Sequence, residues 1–331
     1  MQNAFSNTLF IVQEGPELSG KSSAVARLGQ VIEHALPTLT EELGTPIHFR
    51  KIREPGGSPK GDRGRAFVFN ILALQETSKT QLSDETKAEL FTWARWGLYD
   101  DLVPEVENAD GINIYLGDRS YLSMMALQGQ WDERPNGVAL EELEESALWA
   151  TKKLLPDVVI LRKFPSIGLS EDISLRQLMI LLKDREVMPQ DLSTYIEFAT
   201  VQNRFDDLAG RYGGSAKFYE INASENPLLS TRQELEIVAR RIAEKFPSFP
   251  SENILHILIT SFETIREEGK LAEAELMIED QTRIRRILDA RGLSAELVMD
   301  TYRIGDDSFL KEMKVLYSEY SETELPRQAR K

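Results

Sequence analysis

Residues 8–22 read Thr-Leu-Phe-Ile-Val-Gln-Glu-Gly-Pro-Glu-Leu-Ser-Gly-Lys-Ser. An apolar strand, Leu9 to Val12, runs directly into Gly15-x-x-x-x-Gly20-Lys21-Ser22, which fills every fixed position of a phosphate-binding loop. The two glycines allow the tight turns that aim successive N–H groups at a polyphosphate. Lys21 brings a cation to the β- and γ-phosphates, and the Ser22 hydroxyl is a ligand for Mg²⁺. Ser23-Ala24-Val25-Ala26-Arg27-Leu28 continues as a helix whose positive end faces the same anion. The segment Gly15, Pro16, Glu17, Leu18, Ser19, Gly20, Lys21, Ser22, Ser23 is therefore the expected nucleoside triphosphate site.

Working outward, strand signals recur at Ile47–Ile52, Ile112–Leu116, Val158–Leu161 and Phe218–Ile221. Helix-compatible stretches fall between them at 21–36, 61–75, 84–108, 140–153, 190–209 and 230–245. Such alternation predicts a three-layer α/β/α fold with a parallel sheet, its ligands at the carboxyl ends of the strands. Phe246-Pro247-Ser248-Phe249-Pro250-Ser251 breaks the pattern. Beyond it the chain reads as helix only, over 254–268, 271–291, 294–302 and 308–320, separated by Gly269, Gly292 and Gly305. Two units are expected: an α/β phosphate-loop domain over 1–246, and a small all-α domain over 251–331. The apolar spacing Ile254, Ile257, Leu258, Phe262, Ile265 requires a partner surface, either the first domain or a second subunit.

Composition narrows the function classes. The 331 residues include no cysteine and only three histidines, so disulfides, thiolate zinc sites and a histidine-rich metal site are disfavoured. A net charge of −15 argues against non-specific nucleic-acid binding. Arg283-Ile284-Arg285-Arg286 reads as a solvated helix face beside Glu279 and Asp280. No apolar run approaches the length of a membrane span, and the N-terminus lacks a basic leader, so a cytoplasmic protein is expected.

Four further segments carry a resemblance: Arg53-Glu54-Pro55-Gly56-Gly57 at the second strand end, Phe91-x-x-x-Arg95 in a long helix, Gly117-Asp118-Arg119-Ser120 with Ser123 and Gln128-Gly129, and Leu155-Pro156-Asp157. With the phosphate loop, and in this order, they resemble the thymidylate kinase family of nucleoside monophosphate kinases over roughly residues 8–245. The resemblance implies ATP-dependent phosphorylation of dTMP to dTDP with Mg²⁺, in a homodimer. It implies that Lys21, Arg53, Arg119 and a lid arginine neutralise the transferring charge, and that Ser22 and Asp118 organise the metal. It implies an acceptor site of Glu17, Arg53, Phe91, Arg95, Arg119, Ser123 and Gln128. Within it the Phe91 ring stacks on the base, Arg95 selects a carbonyl, and Glu17 meets the sugar 3′-hydroxyl. Phe91 and Arg95, four residues apart, share one helix face. By itself Phe91 would read as core, Arg53 as a strand cap and Arg119 as half of a surface ion pair.

The sequence departs from the family in places. The phosphate loop holds no arginine, so the catalytic arginine is expected in a lid over 164–190, where Arg176, Lys183 and Arg185 are candidates and Arg185 fits best. That lid is unusually apolar at Leu178–Leu182. Arg162-Lys163-Phe164 replaces an acidic motif, and Met124 and Leu127 stand where polar groups often meet the acceptor. A kinase for dUMP or a 5-modified deoxyuridylate is the alternative, and a decayed kinase-derived binding protein is another. The 251–331 segment is expected to dock or assemble, outside the catalytic machinery.

Overall fold

The computed structural model describes residues 3–78, 81–182, 195–214, 216–247, 249–303 and 305–324. Five strands form one sheet: β1 (Thr8–Glu14), β2 (Ile47–Arg53), β3 (Ile112–Asp118), β4 (Val158–Lys163) and β5 (Lys217–Asn222). Their order is β2-β3-β1-β4-β5 and every pairing is parallel. Parallel strands need crossover helices, and these cover both faces. That is why β1 and β3 are buried along their whole lengths.

The alternation of side chains along each strand divides the core in two. Leu9, Ile11, Ile114, Leu116 and Ile160 face α1 (Lys21–Leu43) and α8 (Pro227–Lys245). Phe10, Val12, Tyr115, Val159 and Leu161 face the opposite layer. That layer contains α3 (Asp84–Asn108), α4 (Tyr121–Gln128), α5 (Leu140–Thr151) and α7 (Tyr195–Tyr212), with α2 (Pro59–Ser78) packed on α3. Asp157, expected only as the opening of the fourth strand, ties the layers together. Its carboxylate accepts the Phe10 N–H at 2.9 Å and pairs with Lys245 at 2.7 Å.

Two elements differ from the sequence reading. The short helix α4 was not anticipated. The lid stretch contains a buried helix, α6 (Leu169–Leu182), and the lid candidates Lys183 and Arg185 lie outside the described residues.

After the Pro/Ser corner come α9 (Ser251–Glu267), α10 (Ala272–Arg291), α11 (Ala295–Arg303) and α12 (Ser308–Glu324). The apolar face of α9 finds its partner in the α/β body itself: Ile254, Leu258, Phe262 and Ile265 are buried in the same cluster as α1 and the sheet. Helices α10–α12 gather around α6, where Leu175, Leu178 and Leu182 bury against Ile284, Leu288, Val298, Met299 and Met313. The apolar lid sequence therefore has a simple cause: α6 is covered by the C-terminal helices and must be hydrophobic toward them.

Candidate active site

The strand-to-helix turn after β1 depends on backbone that only glycine tolerates. Gly15 sits at φ 135°, and a Cβ there would lie 2.3 Å from the Arg162 carbonyl oxygen. The loop then lies over Arg162, whose Nε donates to the Ser19 carbonyl at 2.9 Å while its guanidinium pairs with the fully buried Glu234. Arg162, a departure from the family pattern, is thus a strut beneath the phosphate loop.

Lys21 lies across the loop, its Nζ donating to the Pro16 carbonyl at 2.6 Å. Burial, reinforced by the charge of Arg119, lowers the Lys21 pKa to about 8 against the opposing pull of Glu17, Asp118 and Glu14. The in-register pairing of β3 with β1 and β2 sets Asp118 beside Gln13 and Arg53. Ser22 Oγ donates to Asp118 Oδ2 at 2.6 Å, and Arg53 Nε stands 3.9 Å from the same oxygen. Asp118 Oδ1 is buried with no hydrogen-bond partner among the described residues.

Arg119 adopts φ 73°, a costly conformation for a side-chain-bearing residue, which turns its guanidinium into the cleft. It donates to Glu17 and, at 3.2 Å, to Ser123 Oγ. Burial pushes Glu17 upward, but Arg119 and Lys21 outweigh it and hold the carboxyl below its ordinary value. Underneath lies a residue that the sequence reading passed over. Glu14 is completely buried and accepts from Ser120 N, Ser120 Oγ and Ser123 Oγ at 2.6–2.7 Å. Burial raises its pKa, although the two serines, Arg119 and Lys21 resist. Glu14 fixes the two serines that flank the catalytic-side turn. Its signal was an acidic residue ending an apolar strand immediately before Gly15.

All seven expected acceptor residues, Glu17, Arg53, Phe91, Arg95, Arg119, Ser123 and Gln128, line one cavity of about 720 Å³. Phe91 and Arg95 project from α3 as their spacing requires. Arg95 is 3% exposed, its Nε donating to Glu54 Oε2 at 2.6 Å and its Nη1 lying 3.4 Å from the Met124 sulfur. Glu54 also accepts from Tyr99 Oη. The glutamate of the Arg-Glu-Pro-Gly-Gly segment therefore orients the arginine of the helix, a coupling invisible in one dimension. Arg65, also unforeseen, lines the same cavity and donates to the Pro55 carbonyl at 3.0 Å.

Of the lid candidates, Arg176 is the one that the described residues bring to the loop. Its Nη1 donates to the Leu18 carbonyl at 2.9 Å and its Nη2 to the Ala223 carbonyl, over the Phe164 ring. Burial and the neighbouring Arg162 lower its pKa to about 10. A second cavity of about 400 Å³ adjoins Gly20, Lys21, Ser22, Ser23 and Arg176, and is lined on its far side by α10. Of the C-terminal helices α10 thus borders this cavity, a position that the sequence reading did not foresee. Arg285 is exposed and pairs with Asp172, as a solvated helix face requires, but Arg283 pairs with the buried Asp280 and lies over the Tyr317 ring, so the run is solvated only in part. Among the described residues no group of three or more histidines or carboxylates is arranged to hold a metal, and no helix is long and apolar enough to cross a membrane.

No family model matches the chain. It is 28% identical to the thymidylate kinase of Bacillus licheniformis over 240 residues, covering 72% of this chain and 98% of the relative. It is 28% identical to that of Leuconostoc citreum over 201 residues, covering 60% of this chain and 84% of the relative. It is 33% identical to that of a Shewanella species over 166 residues, covering 48% of this chain and 67% of the relative. A phosphate loop on a parallel sheet, opening onto a second cavity lined with cations, belongs with these relatives to the nucleoside monophosphate kinases, which are phosphotransferases. Within that class the chain belongs to the thymidylate kinase family.

Proposed function

We propose that the protein transfers the γ-phosphoryl group of ATP to dTMP, giving ADP and dTDP. One observation carries the reading: Glu17 and Arg119 border both cavities, so groups bound in the two would meet between them. The phosphate-loop N–H groups and Lys21 hold the β- and γ-phosphates. Arg53 and Arg119 hold the acceptor phosphate in line with the γ-phosphoryl group, and Arg176 or Arg185 supplies charge from the lid side. The acceptor phosphate oxygen is already a competent nucleophile, so positioning and charge neutralisation dominate over base catalysis. Phe91 stacks on the base and the terminal nitrogens of Arg95 donate to its carbonyl, which favours thymine or uracil over cytosine.

Ser22 and Asp118 suit Mg²⁺. Both are hard oxygen donors, they lie 2.6 Å apart, and the buried Asp118 Oδ1 has no hydrogen-bond partner among the described residues, so the pair would hold the ion. Held by Ser22 and Asp118, Mg²⁺ would supply positive charge to offset the charge developing in phosphoryl transfer. The assembly proposed is a homodimer through the aromatic face of α2, α3 and α5. There Phe67, Trp93 and Trp149 are 53–62% exposed, and Trp96 stacks on Trp149. Exposed apolar faces of this kind mark interfaces. Light scattering of the parent and Trp93→Lys tests it.

The deciding experiment is steady-state turnover with ATP across dTMP, dUMP, 5-modified deoxyuridylates, dCMP and dGMP. The highest kcat/KM is expected with dTMP. A preference for another deoxyuridylate reassigns the acceptor, and turnover with none of them refutes the reading.

A further inference from the structure

Helix α10 is anchored at both ends to different parts of the molecule. At its start, Leu271 is buried in the cluster that contains α1. Toward its end, Ile284, Ile287 and Leu288 are buried against α6. The residues between these anchors, Met277 and Gln281 among them, span the 400 Å³ cavity that opens from the phosphate loop. On the opposite wall, Gln30 lies eight residues along α1 from Ser22, about 12 Å at the helical rise, a distance that a ribose and base can bridge. Met179 of α6 forms a third wall.

We infer that α10 completes the donor site. The nucleoside of the triphosphate lies in this cavity between the Met179 and Met277 side chains, and Gln30 and Gln281 read the edge of its base. The walls suit a nucleoside triphosphate: cations such as Lys21 and Arg176 gather at the phosphate-loop end, while Met179, Ile180, Ala274 and Met277 supply apolar surface beyond it, in a volume within the roughly 300–1,000 Å³ of small-molecule sites. Each glutamine amide offers both donors and an acceptor. Neither makes a hydrogen bond among the described residues, so both are available to a ligand. Thioethers are polarisable and adapt to a flat ring. Because α10 is fixed at both ends, the backbone that carries Met277 and Gln281 is already in place beside the cavity. The C-terminal helices then belong to the catalytic unit and set donor choice.

This inference rests on the reading of the phosphate loop as a triphosphate site, and calorimetric titration of the full chain separates the two. The probes are ATP, GTP and inorganic tripolyphosphate, with the parent, Met277→Trp, Gln281→Ala and Lys21→Ala. Met277→Trp fills the cavity and should weaken ATP about tenfold or more while tripolyphosphate changes less than about twofold. Gln281→Ala, a partly exposed position, should narrow the ATP-to-GTP affinity ratio by about threefold or more, the effect of one lost hydrogen bond. If both variants leave ATP affinity and the ratio unchanged, or if ATP and tripolyphosphate weaken equally, α10 does not hold the nucleoside. If Met277→Trp does not fold, the ratio measured with Gln281→Ala decides. Unchanged tripolyphosphate binding by Lys21→Ala would instead refute the phosphate-loop reading itself.

Discussion

Glu54→Ala removes the carboxylate that holds Arg95, the arginine proposed to read the acceptor base. In the native protein Glu54 is 1% exposed, accepts Arg95 Nε–H at 2.6 Å and also accepts the Tyr99 hydroxyl. The substitution leaves a buried guanidinium without its counter-charge, and truncating one partner of a buried pair costs about 3–5 kcal/mol. The Tyr99 hydroxyl loses its acceptor too, but it shares a network with Arg95, so the two losses do not simply add. Because Arg95 borders the acceptor cavity, water can reach its terminal nitrogens, which points to the lower half of the range. At about 2–4 °C per kcal/mol for a chain of this size class, the melting midpoint should fall by roughly 6–16 °C. Glu54→Gln, which keeps one acceptor oxygen, should cost less. A double substitution, Glu54→Leu with Arg95→Met, should recover part of the loss, because a buried pair replaced by apolar volume is often neutral. The assay is thermal and urea unfolding together with steady-state kinetics. Where Glu54→Gln folds, KM for the acceptor should rise while KM for ATP stays constant. A stability loss below about 1 kcal/mol for Glu54→Ala, the level of a surface pair, would refute the reasoning. So would equal movement of both KM values.

Lys21→Ala should abolish phosphoryl transfer while the chain still unfolds cooperatively, and turnover within a few-fold of the parent would sink the loop assignment. Lys21 titrates near 8 in the fold against 10.5 ordinarily. The unfolded chain therefore binds more protons between those values, and this lysine makes stability rise with pH across that window. Lys21→Met should flatten the rise in urea unfolding measured from pH 8 to 10, and an unchanged slope would contradict it. Gly15→Ala places a Cβ 2.3 Å from the Arg162 carbonyl at φ 135°, so a loss of at least about 1–3 kcal/mol and of ATP binding is expected; unchanged calorimetric affinity would argue otherwise. A chain ending at Phe246 loses four fully buried side chains of α9, about 6–12 kcal/mol of apolar burial at most, which rivals the whole stability of a domain. It should show no cooperative unfolding transition, and a soluble fragment with a sharp melt would overturn that.

Local rules account for what was legible in one dimension. The Gly15-to-Ser22 spacing is a property of consecutive backbone conformations, and the strands are short apolar runs that a parallel sheet requires on both faces. The five strands and the long helices on either side of them accordingly fall where the pattern puts them, with α3 spanning Asp84–Asn108. Phe91 and Arg95 share a face because four residues make one turn. Helix α4 escaped notice because eight residues with apolar side chains all round carry no amphipathic signal.

Tertiary structure decided what depends on pairing across distance. The sequence contains Glu14, Glu54, Arg65 and Arg162, but a buried charge is recognised only by its partner, and Ser123, Arg95, the Pro55 carbonyl and Glu234 stand 10 to 109 residues away. The apolar lid looked anomalous until α10–α12 were seen to cover α6. The spacing of Ile254, Leu258 and Phe262 announced that α9 needed a partner, yet periodicity describes one face of one helix and is silent about what meets it. Only the packed molecule decided that the partner is the face made by α1 and α8, and that α10 lines the cavity beside the phosphate loop.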